Sequence, residues 1–383
     1  MTGVLRGAYV ARLDLQADNL AGVAEKIRAQ IAALSSLPAR IDLYCCSRGR
    51  VLANGKPIKS YGQDGVRRRL AHHLLFYRFL GSHLRGLDFV YIRHQGATPS
   101  LLAALAALRR NNHGVKVLLE IPSWPYHTEA RTLRERFANW VDHLCRPKLR
   151  HYVDRVVTFS RQDSILGIPT IRTDNGVDVA RLQTRPTPSA PPPLRLLGLA
   201  NLSFWHGYDR VIEGLAAYRT SADAMDILFD VVGTGAELPN LRRLAKDRGL
   251  EDAVVFHGPR TGAELDALVA GAHIAISSIG MHRLETETSN LKSREFCARA
   301  IPFVIGYQDP DFPPSLPFVF HVPPTDEPVD MAALVEFQHR LASGQEDSGI
   351  QMRRHAEKTL SWQSKMSPVT DYLATGSQRK TQE

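Results

Sequence analysis

Glu287 and Glu295 stand with seven residues between them, TSNLKSR, and paired carboxylates of this kind accept hydrogen bonds from the hydroxyls of a bound ligand. Spacing alone proves little, because such a pair arises by accident on the order of once in a chain of this length. Its surroundings give it weight. Ala272–Ser277 is an apolar run that reads as a buried strand, and Asn290–Ala300 reads as a helix ending before Ile301-Pro302 and a further strand, PFVIG. Both carboxylates therefore flank a strand-to-helix turn. Ser289 or Asn290 is placed to cap that helix, which leaves the first backbone N–H groups of its opening turn to hold an anion. A phosphate fits there, with Glu295 one turn into the helix and turned toward hydroxyls.

Three further loops follow apolar runs in the same half. Gly233-Thr234-Gly235 follows ILFDVV, where glycine lets the backbone approach a ligand closely, although a lone GxG also marks a plain turn. Gly258-Pro259-Arg260 follows AVVFH and offers a flat guanidinium on which a base stacks. NLSFWHG, Asn201 to Gly207, follows the first strand of the half. Plain structural roles stand beside these. Lys292 and Arg294 also read as solvated helix-face charges, His206 as a surface histidine and Trp205 as packing. Asp309-Pro310-Asp311 has the look of a metal-binding DxD, yet a proline between the carboxylates in a post-strand loop favours a turn, and no metal is assigned.

The elements that must position these residues alternate along the chain. Of the 383 residues, 44% are apolar and 8% aromatic, and short apolar runs alternate with helical patterns in both halves. That is the pattern of α/β domains with parallel sheets covered by helices, here two doubly wound ones. The reading places an N-terminal domain at 1–183, a proline-rich linker at 184–193 (TRPTPSAPPP) and a second domain at 194–360. A last helix in 361–383 crosses back to the first domain and ends in a frayed tail. In open sheets of this class ligands bind at the carboxyl ends of strands, so two facing halves place a ligand between them.

The four cysteines form no CxxC pair and read as reduced structural thiols. No stretch is long enough to span a bilayer and the N-terminus lacks a signal peptide, so the expected compartment is the cytoplasm. The net charge of +9 is uneven: residues 1–180 hold 27 Lys and Arg against 14 Asp and Glu, the remainder 21 against 25. Such asymmetry points to an anionic partner surface, acidic lipid or nucleic acid. Val66–Leu84, VRRRLAHHLLFYRFLGSHL, carries Val66, Leu70, Leu74, Tyr77 and Leu84 near helical spacing with Arg67, Arg68, Arg69, His72 and Arg78 between. It reads either as a basic amphipathic helix for an anionic membrane surface or as a domain helix burying one face.

In their order and spacing VVGTGAELPNLRRLAKDRGL, VVFHGPRTGAELDALVAGAHIAISS and the E-x7-E segment resemble the retaining glycosyltransferases of family 4, whose two-Rossmann fold is called GT-B. Asn175-Gly176-Val177-Asp178 is similar to the segment with which these enzymes leave the first domain. GVAEKIRAQIAAL, DFVYIR and EIPSWPYHTE resemble the branch that builds bacterial capsule or exopolysaccharide. The resemblance implies that Glu295 binds the ribose of a nucleotide sugar, that Glu287 faces the donor sugar, and that backbone groups of Ser289, Asn290 and Leu291 hold the diphosphate. Gly233 and Arg260 would line the nucleotide, and Gly22 would open the first helix near the phosphates. His127 and Glu129 would serve the acceptor side. Where the family carries an Arg and a Lys after the first strand of the second domain, this chain has Asn201 and His206. The missing cations must be replaced for a diphosphate to leave. Lys292 is the first candidate, then Arg294 and Arg210.

The function expected is transfer of a sugar with retention to a glycan acceptor, lipid-linked and reached from the inner face of the plasma membrane. No cofactor or metal is expected, and nucleic acid is not expected as a partner. A nucleotide-sugar 2-epimerase of the same fold, and a non-catalytic basic binding protein with a degenerate site, remain as alternatives.

Overall fold

The computed structural model describes residues 4–17, 20–61, 65, 74–122, 124–126, 132–186, 188, 190–284, 290–344 and 346–377. The chain forms two compact units: Met1–Asp174 with Trp362–Glu383, and Asn175–Ser361. The division falls after Asp174, ahead of the 184–193 stretch in which the sequence reading placed it. Proline forbids helix and strand but not packing against a domain. Arg185, inside that stretch, donates its N–H to the Arg299 carbonyl of the second unit.

The first unit holds a nine-stranded sheet. Its strands are β1 (Leu5–Asp14), β2 (Ala39–Ser47), β3 (Arg50–Ala53), β4 (Lys56–Ser60), β5 (Phe89–Arg93), β6 (Lys116–Glu120), β7 (Arg155–Thr158), β8 (Ser164–Ile165) and β9 (Ile168–Arg172), in the order β4-β3-β2-β1-β5-β6-β7-β9-β8. The central strands are apolar through most of their length because both faces are covered. Ala8 and Val10 join Val90, Ile92, Val117 and Leu119 in one core with α2 (Phe76–His83) and α3 (Pro99–Asn111). Tyr9 and Ala11 join Phe89, Tyr91 and Leu118 in the opposite core. There they meet α1 (Ala21–Leu34) and, from the far end of the chain, Met366, Val369 and Leu373 of α11 (Trp362–Ser377). α4 (Leu133–Cys145) lies between β6 and β7 and is closed by a capping box of Thr132 and Glu135.

One feature escaped the apolar-run reading. β3 and β4 form an antiparallel hairpin through Asn54-Gly55, both at positive φ (50° and 80°). Asn-Gly is the strongest short hairpin signal, but β4 is exposed at every position and so has no apolar run to announce it. The basic amphipathic segment is described from Leu74 onward. Of its apolar stripe, Tyr77 and Leu84 are buried in the first unit's core, while Leu74 is exposed. In this part the segment is a domain helix. Val66 to His73 lie outside the described residues. No helix among the described residues is long and apolar enough to cross a membrane.

The second unit holds six parallel strands: β10 (Leu194–Leu199), β11 (Ile227–Val232), β12 (Val254–Gly258), β13 (Ile274–Ile276), β14 (Phe303–Ile305) and β15 (Val319–His321), in the order β12-β11-β10-β13-β14-β15. The same alternation sends Leu194, Leu196, Phe229, Val231, Ile274 and Ile276 to one core and Leu197, Val232, Ala275, Phe303 and Ile305 to the other. In each sheet the first strand is internal and the order runs away from it both ways. The connections after β1 and β5, and after β10 and β13, therefore leave in opposite directions and open a crevice at the carboxyl edge.

Because α11 seals one face of the first unit, Met366→Ala should lower stability by about 2–5 kcal/mol in urea unfolding. A loss under about 0.5 kcal/mol would show that α11 is not part of that core.

Candidate active site

At the carboxyl edge of the second sheet, turn geometry first brings three loops together. Gly233 has φ 125°, and a Cβ there would lie 1.8 Å from the Ala200 carbonyl oxygen. This glycine is therefore demanded by packing of the loop after β11 onto the loop after β10, where Leu202 N–H donates to the Thr234 carbonyl at 2.7 Å. Gly207 (φ 70°) similarly lets the NLSFWHG loop abut Gly280. The loops after β10 and β13 are zipped by Ile279 N–H to the His206 carbonyl (3.0 Å) and Gly280 N–H to the Trp205 carbonyl (3.2 Å). Arg283 clamps them, donating to the Phe204 carbonyl at 2.7 Å and to Asp209 at 2.7 and 2.9 Å.

α8 (Leu291–Ala298) starts beside this platform. Asn290 is its N-cap, its side chain accepting the Lys292 N–H at 3.0 Å, so one of the helix's first N–H groups is satisfied internally. Lys292 Nζ reaches His206 Nε2 at 2.6 Å. His206 Nδ1 accepts the Ser203 N–H at 3.0 Å, so the neutral ring carries its proton on Nε2. An Nε2–H bonds Nζ only when the amine is neutral and lends its lone pair. A protonated Lys292 has no acceptor on His206 and calls for an anion instead. Burial lowers the Lys292 pKa to about 8, with Glu295 opposing the shift. Burial, then the neighbouring Lys292, lowers His206 to about 4. Glu295 is pushed up by burial against the pull of Arg299 and Lys292, and no hydrogen bond holds its carboxylate among the described residues. A buried acceptor without a donor is ready for a ligand's hydroxyls.

The other replacement cations are structural. Arg294 is fully buried, held by Asp309 (3.0 and 3.3 Å), Asp311 (2.6 Å) and the Asn290 carbonyl (3.0 Å). The Asp-Pro-Asp turn is its counter-charge. Arg210 is also buried and donates to three carbonyls, of Glu327, Ile279 and Pro323. A buried guanidinium needs such partners, and these carbonyls supply them.

Asn201 and Leu291 are exposed at the platform's rim. Arg260, two strands out on the loop after β12, is exposed and lies 3.5 Å from Glu264. Gly22 is exposed in the first turn of α1 with open space around it. Glu287, Ser289, His127 and Glu129 lie outside the described residues.

A cluster in the first unit was not anticipated. Glu120, ending β6, is buried and binds Arg93 (3.1 Å), Lys26 (3.5 Å), Gln30 (3.2 Å) and Tyr9 (3.3 Å). Lys26 also lies over the rings of Phe159 and Trp362. The sign of it in the sequence is a charged residue closing each of two apolar strands, FVYIR and KVLLE.

No protein-family model and no curated protein matches the chain. Solved structures do. A glycosyltransferase from Rickettsia africae ESF-5 is similar over 98% of this chain and 99% of its own, with TM-score 0.58 and 14% identity. Sucrose-phosphate synthase from Thermosynechococcus elongatus is similar over 97% and 98%, with TM-score 0.60 and 14% identity. Anabaena Alr3699/HepE in complex with UDP is similar over 97% and 100%, with TM-score 0.58 and 13% identity. Two parallel-dominant α/β units in this order are the GT-B fold, and the chain has it.

Two outcomes follow from the site's charges. Lys292 in the unfolded chain keeps its proton to about pH 10.5, whereas the folded chain releases it near 8. Between these values the unfolded state binds more protons, so the burden of Lys292 on stability lifts as pH rises. Lys292→Met should therefore raise the melting temperature at pH 7 and lose that advantage by pH 10; a gain independent of pH would refute the lowered pKa. Arg294→Met strands two buried carboxylates and should cost about 3–5 kcal/mol in denaturant unfolding. A stable Arg294→Met with weakened nucleotide binding would restore Arg294 to the ligand site.

Proposed function

We propose that the protein is a retaining glycosyltransferase whose donor diphosphate lies at the N-terminus of α8 against Lys292. The observation that carries this is the pairing of a cation lacking an acceptor, Lys292 above His206, with an unbonded half-buried carboxylate, Glu295, one turn on along the same helix. Together they offer one group for a phosphate and one for ribose hydroxyls, on the edge where open α/β sheets take ligands. The UDP bound by the Anabaena protein of similar fold supports a nucleotide donor.

In this reading the Lys292 ammonium meets the diphosphate and stabilises the charge that grows as the glycosidic bond to phosphate breaks. Backbone groups of Ser289, Asn290 and Leu291 share that charge, so the reading calls on no metal or cofactor. Glu287 faces the donor sugar, with Gly233 and Arg260 along the nucleotide and Asn201 at the rim. The acceptor hydroxyl attacks from the face the leaving phosphate vacates, its proton passing to that phosphate, with Gly22, His127 and Glu129 on the acceptor side. The acceptor we infer is a lipid-linked glycan of a surface polysaccharide, reached by peripheral contact of the basic 66–84 segment with the inner membrane face.

A thermal-shift panel of UDP-, GDP- and other nucleotide sugars tests the donor. At least one should raise the melting temperature, Lys292→Ala should weaken its binding about tenfold or more, and Glu295→Ala should do likewise. No nucleotide response at all, or undiminished binding by Lys292→Ala, would sink the reading. Product formed from the donor without any acceptor would instead favour a 2-epimerase.

A further inference from the structure

Arg12 lies two positions on from Val10 along β1, in the strand register whose side chains build the core with α2 and α3. Only 5% of it is exposed. One guanidinium nitrogen, Nη2, donates to the Gln95 carbonyl at 3.1 Å, and the group lies over the Tyr77 ring at 5.2 Å. Its Nε and Nη1 are buried and have no hydrogen-bond partner among the described residues. The hydroxyl of Tyr77, also buried, has none either. Three donor atoms at one spot thus lack acceptors.

Guanidinium stays charged throughout the pH range of a folded protein, and a buried charge without a counter-ion is strongly unfavourable. Neighbouring carboxylates do not supply one. Asp14 accepts the backbone N–H groups of Gln16 (3.2 Å) and Arg48 (3.4 Å). Glu120 is committed to Arg93 and Lys26. Asp142, buried beside the same loop, accepts the Ala97 N–H and the Tyr126 hydroxyl, and Arg12 hydrogen-bonds to no carboxylate among the described residues.

Position gives the imbalance meaning. Arg12 and Gln95 come from β1 and from the loop after β5, the two strands between which the sheet order reverses. That is where a doubly wound sheet opens a crevice for a ligand.

We propose that this crevice of the first unit binds an oxyanion, a phosphate or carboxylate group, on Arg12 Nε and Nη1 with the Tyr77 hydroxyl as third donor. Taken with the transferase reading, on which this further step rests, the anion belongs to the acceptor: the enzyme selects acceptors bearing a phosphate or an acidic sugar. The site is separate from the donor diphosphate, which belongs to α8 of the second unit.

The test titrates the full chain with inorganic phosphate and, separately, with glucuronate, following melting temperature and Kd. The wild type should be stabilised by at least one, and Lys292→Ala should keep that response. Arg12→Met should melt higher than wild type without anion, being rid of an unpaired buried charge, and should lose the anion response. Tyr77→Phe should weaken binding about tenfold. Should Arg12→Met not fold, Arg12→Lys and Tyr77→Phe carry the comparison, both weaker than wild type. Response to phosphate alone or to glucuronate alone identifies the acceptor group, and either supports the site. No anion response in the wild type, or one undiminished in the Arg12 and Tyr77 variants, overturns it. Nucleotide-sugar binding should be unchanged by Arg12→Met, so failure here and failure of the donor reading are told apart.

Discussion

A parallel sheet buried on both faces leaves the chain one economical place for polar chemistry, the carboxyl edge where its connections turn. Both units obey this constraint. Their central strands are largely apolar on both faces, and most charged groups sit at or near the strand ends and in the loops beyond them, Asp230 within β11 being an exception. In the second unit the loops after β10, β11 and β13 are drawn into one platform by glycines that tolerate backbone contact and by the Arg283 clamp. α8 then starts against a rigid surface. Its first turn meets His206 because the loop bearing His206 has nowhere else to go.

Buried charge at that edge is treated in two ways, and the difference separates support from function. Arg294 and Arg210 are surrounded by acceptors and behave as internal braces. Arg12 is buried to a similar degree and Lys292 and Glu295 are partly buried, with acceptors or donors missing among the described residues. A folded protein carries such deficits at a cost in stability, and binding sites are where that cost is ordinarily recovered, on the arrival of a ligand. The same logic applies to Lys292, whose ammonium desolvation disfavours, lowering its pKa to about 8, so that a bound anion offsets that cost.

The alternating apolar runs were enough to infer two doubly wound α/β units, since period-two burial on both faces is written directly into strands such as LRGAYVARLD and LRLLGL. Phe89–Arg93 and Ile227–Val232 coincide with strands to the residue. Exposed elements were less legible. The β3–β4 hairpin buries little on its outer strand, so only its Asn-Gly turn marks it. The proline-rich 184–193 stretch looked like a boundary because composition reports local conformation and not which surface a segment packs on.

Residue type and spacing by themselves determined which loops carry polar groups after strands, that a capped helix follows β13, and that Lys292 merited attention. Those are local properties, set by backbone preference and sequence neighbours. Tertiary structure alone decided which cations are free. Lys292 and Arg294 are two residues apart on one helix and equivalent as sequence, yet a difference of about 200° around the helix axis turns one toward His206 and the other into Asp309 and Asp311. Arg12 is likewise an unremarked charge in an apolar strand until folding removes its water and supplies no counter-ion. Partners in space, not types in sequence, determine whether a buried charge is spent on the fold or left for a ligand.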